Sequence, residues 1–286
     1  MTKIGFIGAG KVGTALAVQL GKKGYPVVAV SSRTFASAQK LAGAVPSCKA
    51  YQNVQMIADI ADLIFITTPD DAISVVASQI KWHKGNMVVH CSGAGSLDIL
   101  EPAARTGAQV GAMHPLQSFA NVEQAIKNIP GSTFAIEGEG PVVDMLTEIA
   151  KAMDGVAIEL GAGNKVLYHA AAVMACNYFV TLMKLSTDIW QGFGVDPNEA
   201  IKALSPLVKG TVNNLINVGL PGCLTGPIAR GDVGTIQAHV DAFKEKMPEL
   251  LEMYRQLGLH TIPIGLAKGT LSKEKAKELK KILEGK

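Results

Sequence analysis

Charge, aromatic residues and cysteine are all sparse in this chain. Charged residues make up 18% of its 286 positions and aromatics 5%, and the formal net charge is only +3. No long basic run is backed by aromatics, so nucleic acid is not an expected partner; the mild positive balance suits small anions. The four cysteines, Cys48, Cys91, Cys176 and Cys223, lie far apart. No C-x-x-C pair or Cys/His cluster points to a metal or a redox couple. Isolated thiols fit a reducing compartment, and with no signal peptide pattern ahead of the first strand, a cytoplasmic protein is expected.

Long apolar runs are nearly missing too. One stretch, Val166–Met183, carries no Lys, Arg, Asp or Glu over 18 residues, near the lower limit for a membrane span. Tyr168, His169, Asn177 and Thr181 interrupt it, and Lys165 and Lys184 flank it. It reads as a helix buried on nearly all faces, inside the protein or at a subunit contact, with no membrane partner. What the chain has in quantity is apolar residues, at 48%, enough over this length for two domains with separate cores.

The most informative stretch is the first. Ile4, Phe6 and Ile7 make a short strand, and Gly8, Gly10 and Gly13 follow in G-x-G-x-x-G spacing with Lys11 and Val12 between them. A helical pattern, Thr14–Leu20, comes next, then a second strand, Val27–Ser31. Strand, glycine turn and helix in this order form a dinucleotide site: the glycines permit the turn, the backbone approach to a pyrophosphate, and close helix packing. The positive end of the helix faces the phosphates.

A carboxylate is absent where it matters. An NAD site usually places Asp or Glu about 20 residues after the glycines, on the ribose 2′-OH. Ser31-Ser32-Arg33-Thr34 stands there instead. Hydroxyls and a guanidinium bind a 2′-phosphate, so NADP(H) is expected, with Ser32 and Arg33 as contacts. The plainer alternative is an arginine opening a helix capped by Ser32 or Thr34.

Further apolar strands are expected at Cys48–Tyr51, Leu63–Thr67, Asn86–His90, Ala108–Met113, Thr133–Ile136 and Val156–Ile158, separated by helical patterns such as Ala36–Leu41, Ala72–Ile80 and Pro141–Met153. The fold class is therefore α/β: a doubly wound, mainly parallel sheet over residues 1–160, followed by an all-helical domain over 161–286. Ligands bind beyond the carboxyl ends of such strands. That rule gathers Thr68 and Pro69, Ser92 and Gly93, and the polar turn at His114 around the glycine motif, the first four as cofactor contacts and His114 as a substrate contact. Ordinary turn chemistry accounts equally well for Thr68-Pro69 and Ser92-Gly93.

In the helical part a long helix, Asn164–Trp190, carries Lys165, His169 and Asn177 along one side. Reduction of a carbonyl needs a proton at oxygen, which Lys165 or His169 can supply while Asn177 orients the substrate. A later loop, Leu224–Asp232, offers Thr225 and the two-pronged donor Arg230 for a carboxylate. Asp232 either holds Arg230 or caps the next helix. Helix starts are expected at Asp196-Pro197, again at Ser205-Pro206, and at Thr235, Pro248 and Ser272, the last a charged, solvated tail.

Taken together, Ile7-Gly-Ala-Gly-Lys-Val-Gly13, His114-Pro-Leu-Gln-Ser-Phe119, Lys165-Val-Leu-Tyr-His-Ala-Ala-Ala172 with Asn177, and Leu224-Thr-Gly-Pro-Ile-Ala-Arg-Gly-Asp232 resemble the two-domain NADP-dependent oxidoreductases related to pyrroline-5-carboxylate reductase, ketopantoate reductase and the 3-hydroxyacid dehydrogenases. The resemblance is nearest to the Rossmann-like branch with a DUF2520 C-terminal domain. It implies a homodimer built through the helices and a small carboxylate substrate. Wider relatives carry a K-x-x-x-N pair, lysine as general acid and asparagine on substrate. Lys165 matches the lysine; His169 stands in the asparagine's place, and that role falls to His169 or Asn177. The expected activity is NADPH-dependent reduction of a small 2-oxo acid, with ketopantoate as the named substrate. Its rivals are an imine reductase of the pyrroline-5-carboxylate type and a non-catalytic NADP(H)-sensing module.

Overall fold

The computed structural model describes every residue except Ala162. The chain divides into two compact units, Met1–Asn177 and Tyr178–Lys286.

The first unit alternates strands and helices: β1 (Ile4–Ile7), α1 (Lys11–Lys22), β2 (Val27–Ser31), α2 (Phe35–Gly43), β3 (Lys49–Tyr51), α3 (Gln55–Ile60), β4 (Leu63–Ile66), α4 (Asp70–Ser78) and β5 (Met87–His90). A 3₁₀ turn then leads into α5 (Glu101–Ala104), β6 (Gln109–Leu116), α6 (Val122–Asn128), β7 (Thr133–Gly138), α7 (Pro141–Ala152), β8 (Val156–Glu159) and α8 (Lys165–Ala175). One eight-stranded sheet results, in the order β3-β2-β1-β4-β5-β6-β7-β8. Every pair is parallel except β6–β7.

The inner strands are short apolar runs because both faces are covered. Successive side chains point to opposite faces. Phe6 and Phe65 thus stack at 5.2 Å on the face that holds Leu16 and Leu20. Ile7, Ile64 and Ile66 pack the other face with Ile57 and Trp82. Register sets one row across the sheet: Ser31, Ile7, Ile66, His90, Ala112 and Glu137 lie level on successive strands. β6 continues past this row to Leu116, so His114 is a strand residue and not part of a turn. The antiparallel partner β7, which pairs Ala135 with His114, prolongs the strand.

The stretch expected as one long helix is broken at Cys176, where φ is −115° and ψ is −64°. It continues as α9 (Asn177–Gln191). Nor is it buried: in the apolar window within Lys165–Gln191, 0% of residues are buried. Burial inside the chain is therefore not met over this window, although near the start of α8 Tyr168 and His169 contact His114.

The second unit is helical: α10 (Pro197–Val218), α11 (Pro227–Arg230), α12 (Val233–Lys246), α13 (Pro248–Lys268) and α14 (Lys273–Glu284). Asp196, Asp232 and Ser272 cap α10, α12 and α14, each accepting a backbone N–H in the first turn. Asp232 therefore serves the helix start. The helix does not restart at Pro206; α10 runs through it, as α13 runs through Pro263. The tail helix is half core, with Ala276, Leu279 and Leu283 packed on Ile236, Val240 and Ile262.

Two glycines of the first turn differ in what they require. Gly8 has φ +110°, and a Cβ there would stand 2.7 Å from the Thr67 backbone. A Cβ on Gly10 meets no protein atom nearer than 4.0 Å. Gly8→Ala is expected to cost roughly 1–3 kcal/mol or more in urea unfolding, and Gly10→Ala about 0.5 kcal/mol or less. Equal losses would contradict this steric assignment.

Candidate active site

The glycine turn and the end of β2 border a cleft of about 570 Å³. Gly8, Gly10, Ser32, Arg33, Thr68 and Pro69 line it, as expected positions, together with Ser31, Thr34, Ser37 and Gln52. Arg33 is the one charged residue in that lining. Gly13 keeps α1 close: a Cβ would overlap Thr67 Oγ1 and the Gly8 carbonyl. Thr67 Oγ1 donates to that carbonyl at 2.8 Å and ties the turn to β4. Gly10 is the N-cap of α1 and supplies no side-chain cap, so the first-turn amides, Lys11 and Val12 among them, lack intrahelical partners. Thr68 Oγ1 is buried with no partner among the described residues. This donor set fits a dinucleotide phosphate: open amides, hydroxyls and one guanidinium. Thr34 occupies the N-cap position of α2 without a side-chain cap bond.

Past Pro69 the first residue of α4 is Asp70, whose carboxylate accepts the Ser92 hydroxyl at 2.6 Å. Ser92 Oγ also accepts from the Gly95 amide at 2.8 Å. That hydroxyl shapes the loop after β5. Gly93 is there for space: a Cβ would collide with the rings of His169 and His114.

Six side chains gather near this loop. Lys165 opens α8 and reaches Glu137 of β7, Nζ to Oε2 3.0 Å, with side-chain exposures of 4% and 9%. His90 is fully buried, and its Nδ1 accepts the Ser92 amide at 3.2 Å. His114 Nδ1 pairs with the Tyr168 hydroxyl at 2.9 Å, and the His169 ring stands edge-on to His114 at 5.8 Å. Burial, reinforced by the Lys165 charge, holds His90 down to about 3. Burial and then His169 hold His114 down to about 4. Both are neutral at physiological pH. Burial also lowers Lys165, while the Glu137 hydrogen bond and charge raise it again.

The structure therefore brings Lys165, His169 and His114 together. Asn177 lies beyond the helix break, exposed, as the first residue of α9. Thr225 and Arg230 belong to the second unit, both exposed, Arg230 as the last residue of α11. Sequence reasoning missed Glu137 and the Tyr168–His114 pair. The signal for Glu137 was a lone acid closing the apolar run Thr133–Ile136.

A Rossmann-like family profile matches residues 1–115, and the profile of DUF2520, a domain of unknown function, matches residues 132–261. No protein of curated function matches the chain. Protein TM1727 from Thermotoga maritima is 25% identical with a TM-score of 0.76, over 93% of this chain and 99% of that one. A reductive aminase from Aspergillus terreus, solved with NADPH and ethyl levulinate, is 18% identical with a TM-score of 0.62, over 100% and 93%. A 1-pyrroline-5-carboxylate reductase from Streptococcus pyogenes is 18% identical with a TM-score of 0.61, over 98% and 98%. These two share the fold.

The neutral histidines make stability pH-dependent. Their ordinary value is 6.5 and their folded values are about 3 and about 4, so the unfolded chain binds protons first. Stability is complete above pH 6.5 and falls as acid is added through that window, by about 1.4 kcal/mol per pH unit for each histidine. Urea midpoints from pH 7 to 4 check this, with a shallower slope expected for His114→Asn; a flat profile would refute it.

Proposed function

Because the chain joins a Rossmann-like domain to a DUF2520 domain, we propose that it is an NADPH-dependent reductase of a small compound bearing a C=N or C=O bond. The observation that carries this is the cleft lining: Arg33 with the hydroxyls of Ser31, Ser32, Thr34 and Ser37, and no carboxylate. Such a set suits a ribose 2′-phosphate, which an acid at this position would repel. Gly8, Gly10 and the first-turn amides take the pyrophosphate. Thr68 and Pro69 form the border toward Ser92 and Gly93.

Bound NADPH would supply hydride. The chain's own part is the proton: Lys165 donates from Nζ to the substrate heteroatom, and His114 and His169 hold the substrate by hydrogen bonds. Arg230 and Thr225 are kept as carboxylate-binding candidates, and Asn177 as an orienting group, on their chemistry. Two substrate classes each have support. A cyclic imine of the pyrroline-carboxylate kind comes first, on the fold shared with an imine-metabolising reductase. A small 2-oxo acid such as ketopantoate comes second, supported by Lys165, since a carbonyl oxygen must gain a proton that an iminium already holds.

Loss of NADPH absorbance with 1-pyrroline-5-carboxylate and with ketopantoate separates them. Tight NADPH binding with turnover of neither returns the sensing module. Arg33→Ala is expected to weaken NADPH by about 10- to 100-fold with little change for NADH; equal losses would remove the 2′-phosphate assignment. Lys165→Arg keeps the charge but cannot release a proton, so kcat should drop by roughly 10²–10⁴-fold at unchanged NADPH affinity. The drop should be larger for the oxo acid.

We also infer that the protein is a homodimer. α8 exposes Val166, Leu167 and Met174 at 63%, 75% and 67%. In the second unit α9 and α10 expose Tyr178, Val180, Leu207, Ile216 and Val218 at 58% to 74%. Apolar surface on this scale in a soluble monomer marks an interface, and self-pairing is the closed way to cover it. Light scattering should give twice 30.0 kDa, and Ile216→Asp should shift the protein toward monomer. A monomeric wild type would rule this out.

A further inference from the structure

Glu137 has no part in the chemistry so far, although it makes the most buried ion pair of the site. Building on the reading that Lys165 donates the proton, we propose that Glu137 is its positioning residue, holding Nζ at the crest of the sheet and keeping it loaded with a proton.

The geometry is specific. β7 runs antiparallel to β6, and its register sets Glu137 beside Ala112, which in turn lies beside His90. The carboxylate thus sits on the same row as the carboxyl ends of β1, β4 and β5, where ligands of such sheets bind. Lys165 enters from the first turn of α8 and is itself only 3% exposed. A lone ammonium buried this deeply would give up its proton. The groups facing it are His90 on β5, Cys91 after it, His114 on β6, Asp70 on α4 and Glu137 on β7; Tyr168 and His169 follow on its own helix. His90 and His114 are neutral and bring no negative charge. Asp70 is engaged with the Ser92 hydroxyl. Glu137 is the anion in direct contact.

The step balances simply. Hydride carries its electron pair to the substrate carbon. One Nζ–H bond breaks as an O–H bond forms on a carbonyl oxygen, or as an N–H bond forms on an imine that arrives unprotonated. Lys165 is left as a neutral amine beside a carboxylate, and that negative charge favours recapture of a proton from water.

The test reads the lysine directly. Protein labelled with ¹³C-lysine is titrated by NMR, with the Lys165 signal assigned through Lys165→Arg. In Glu137→Gln the Lys165 midpoint should fall by about one to three pH units. The alkaline limb of kcat, measured with NADPH and 1-pyrroline-5-carboxylate or ketopantoate, should move the same way. Glu137→Asp, one methylene shorter but still charged, should lower the midpoint less and retain more turnover. An unmoved midpoint in Glu137→Gln, or Asp and Gln variants that behave alike, overturns the proposal. If neither variant folds, the wild type decides: Lys165 must titrate above about pH 7, and a lower midpoint overturns it. The titration needs no substrate, so its failure is distinct from failure of the reductase reading, which would show as no NADPH oxidation with either compound.

Discussion

The backbone of Gly8 lies so close to the Thr67 carbonyl that a single methyl group would overlap it. Much of the first unit follows from this contact. It fixes where β1 ends, how α1 leaves the sheet, and how the Thr67 hydroxyl binds the turn to β4. Gly13 extends the same contact one helical turn further. Gly10 is different, since no protein atom crowds it. Its lack of a side chain leaves open the space in front of the α1 amides, where an anion is stabilised by unpaired N–H groups and the helix dipole.

Behind the cleft, charge is handled in two ways. His90 and His114 are desolvated and stay neutral, which removes the cost of burying a cation. Lys165 is also buried but has a carboxylate at 3.0 Å. Pairs of this kind add little net stability, because desolvation offsets much of the attraction. A costly pair at the carboxyl edge of the sheet, next to two neutral histidines and a tyrosine, fits a chemical role better than a structural one.

The apolar helix shows how far composition reaches. Absence of charge over Val166–Met183 meant that some neighbour must cover it. Whether that neighbour was the chain's own core could not be read, because burial is a property of the packed molecule. No residue of the apolar window within Lys165–Gln191 is buried. Asn177 was aligned with Lys165 by assuming an unbroken helix, and the irregular backbone at Cys176 voids that count.

Local chemistry was legible in the chain itself. The glycine spacing, the missing acid after Ser31, the cap at Asp196, and the buried strands all declare themselves within a few residues, because turns, caps and alternation are short-range. Proline misled: Ser205-Pro206 read as a helix start, yet α10 passes through it. The pairing of Glu137 with Lys165 was not legible, since the partner lies 28 residues away and only the folded sheet brings the two together. The sequence by itself determined the glycine turn and the set of hydroxyls and one guanidinium beside it, since those depend on the side chains present at one bend. Tertiary structure alone decided which ionisable groups meet, and hence which are charged, because pKa values follow from burial and neighbours that only the folded sheet brings within a few ångströms.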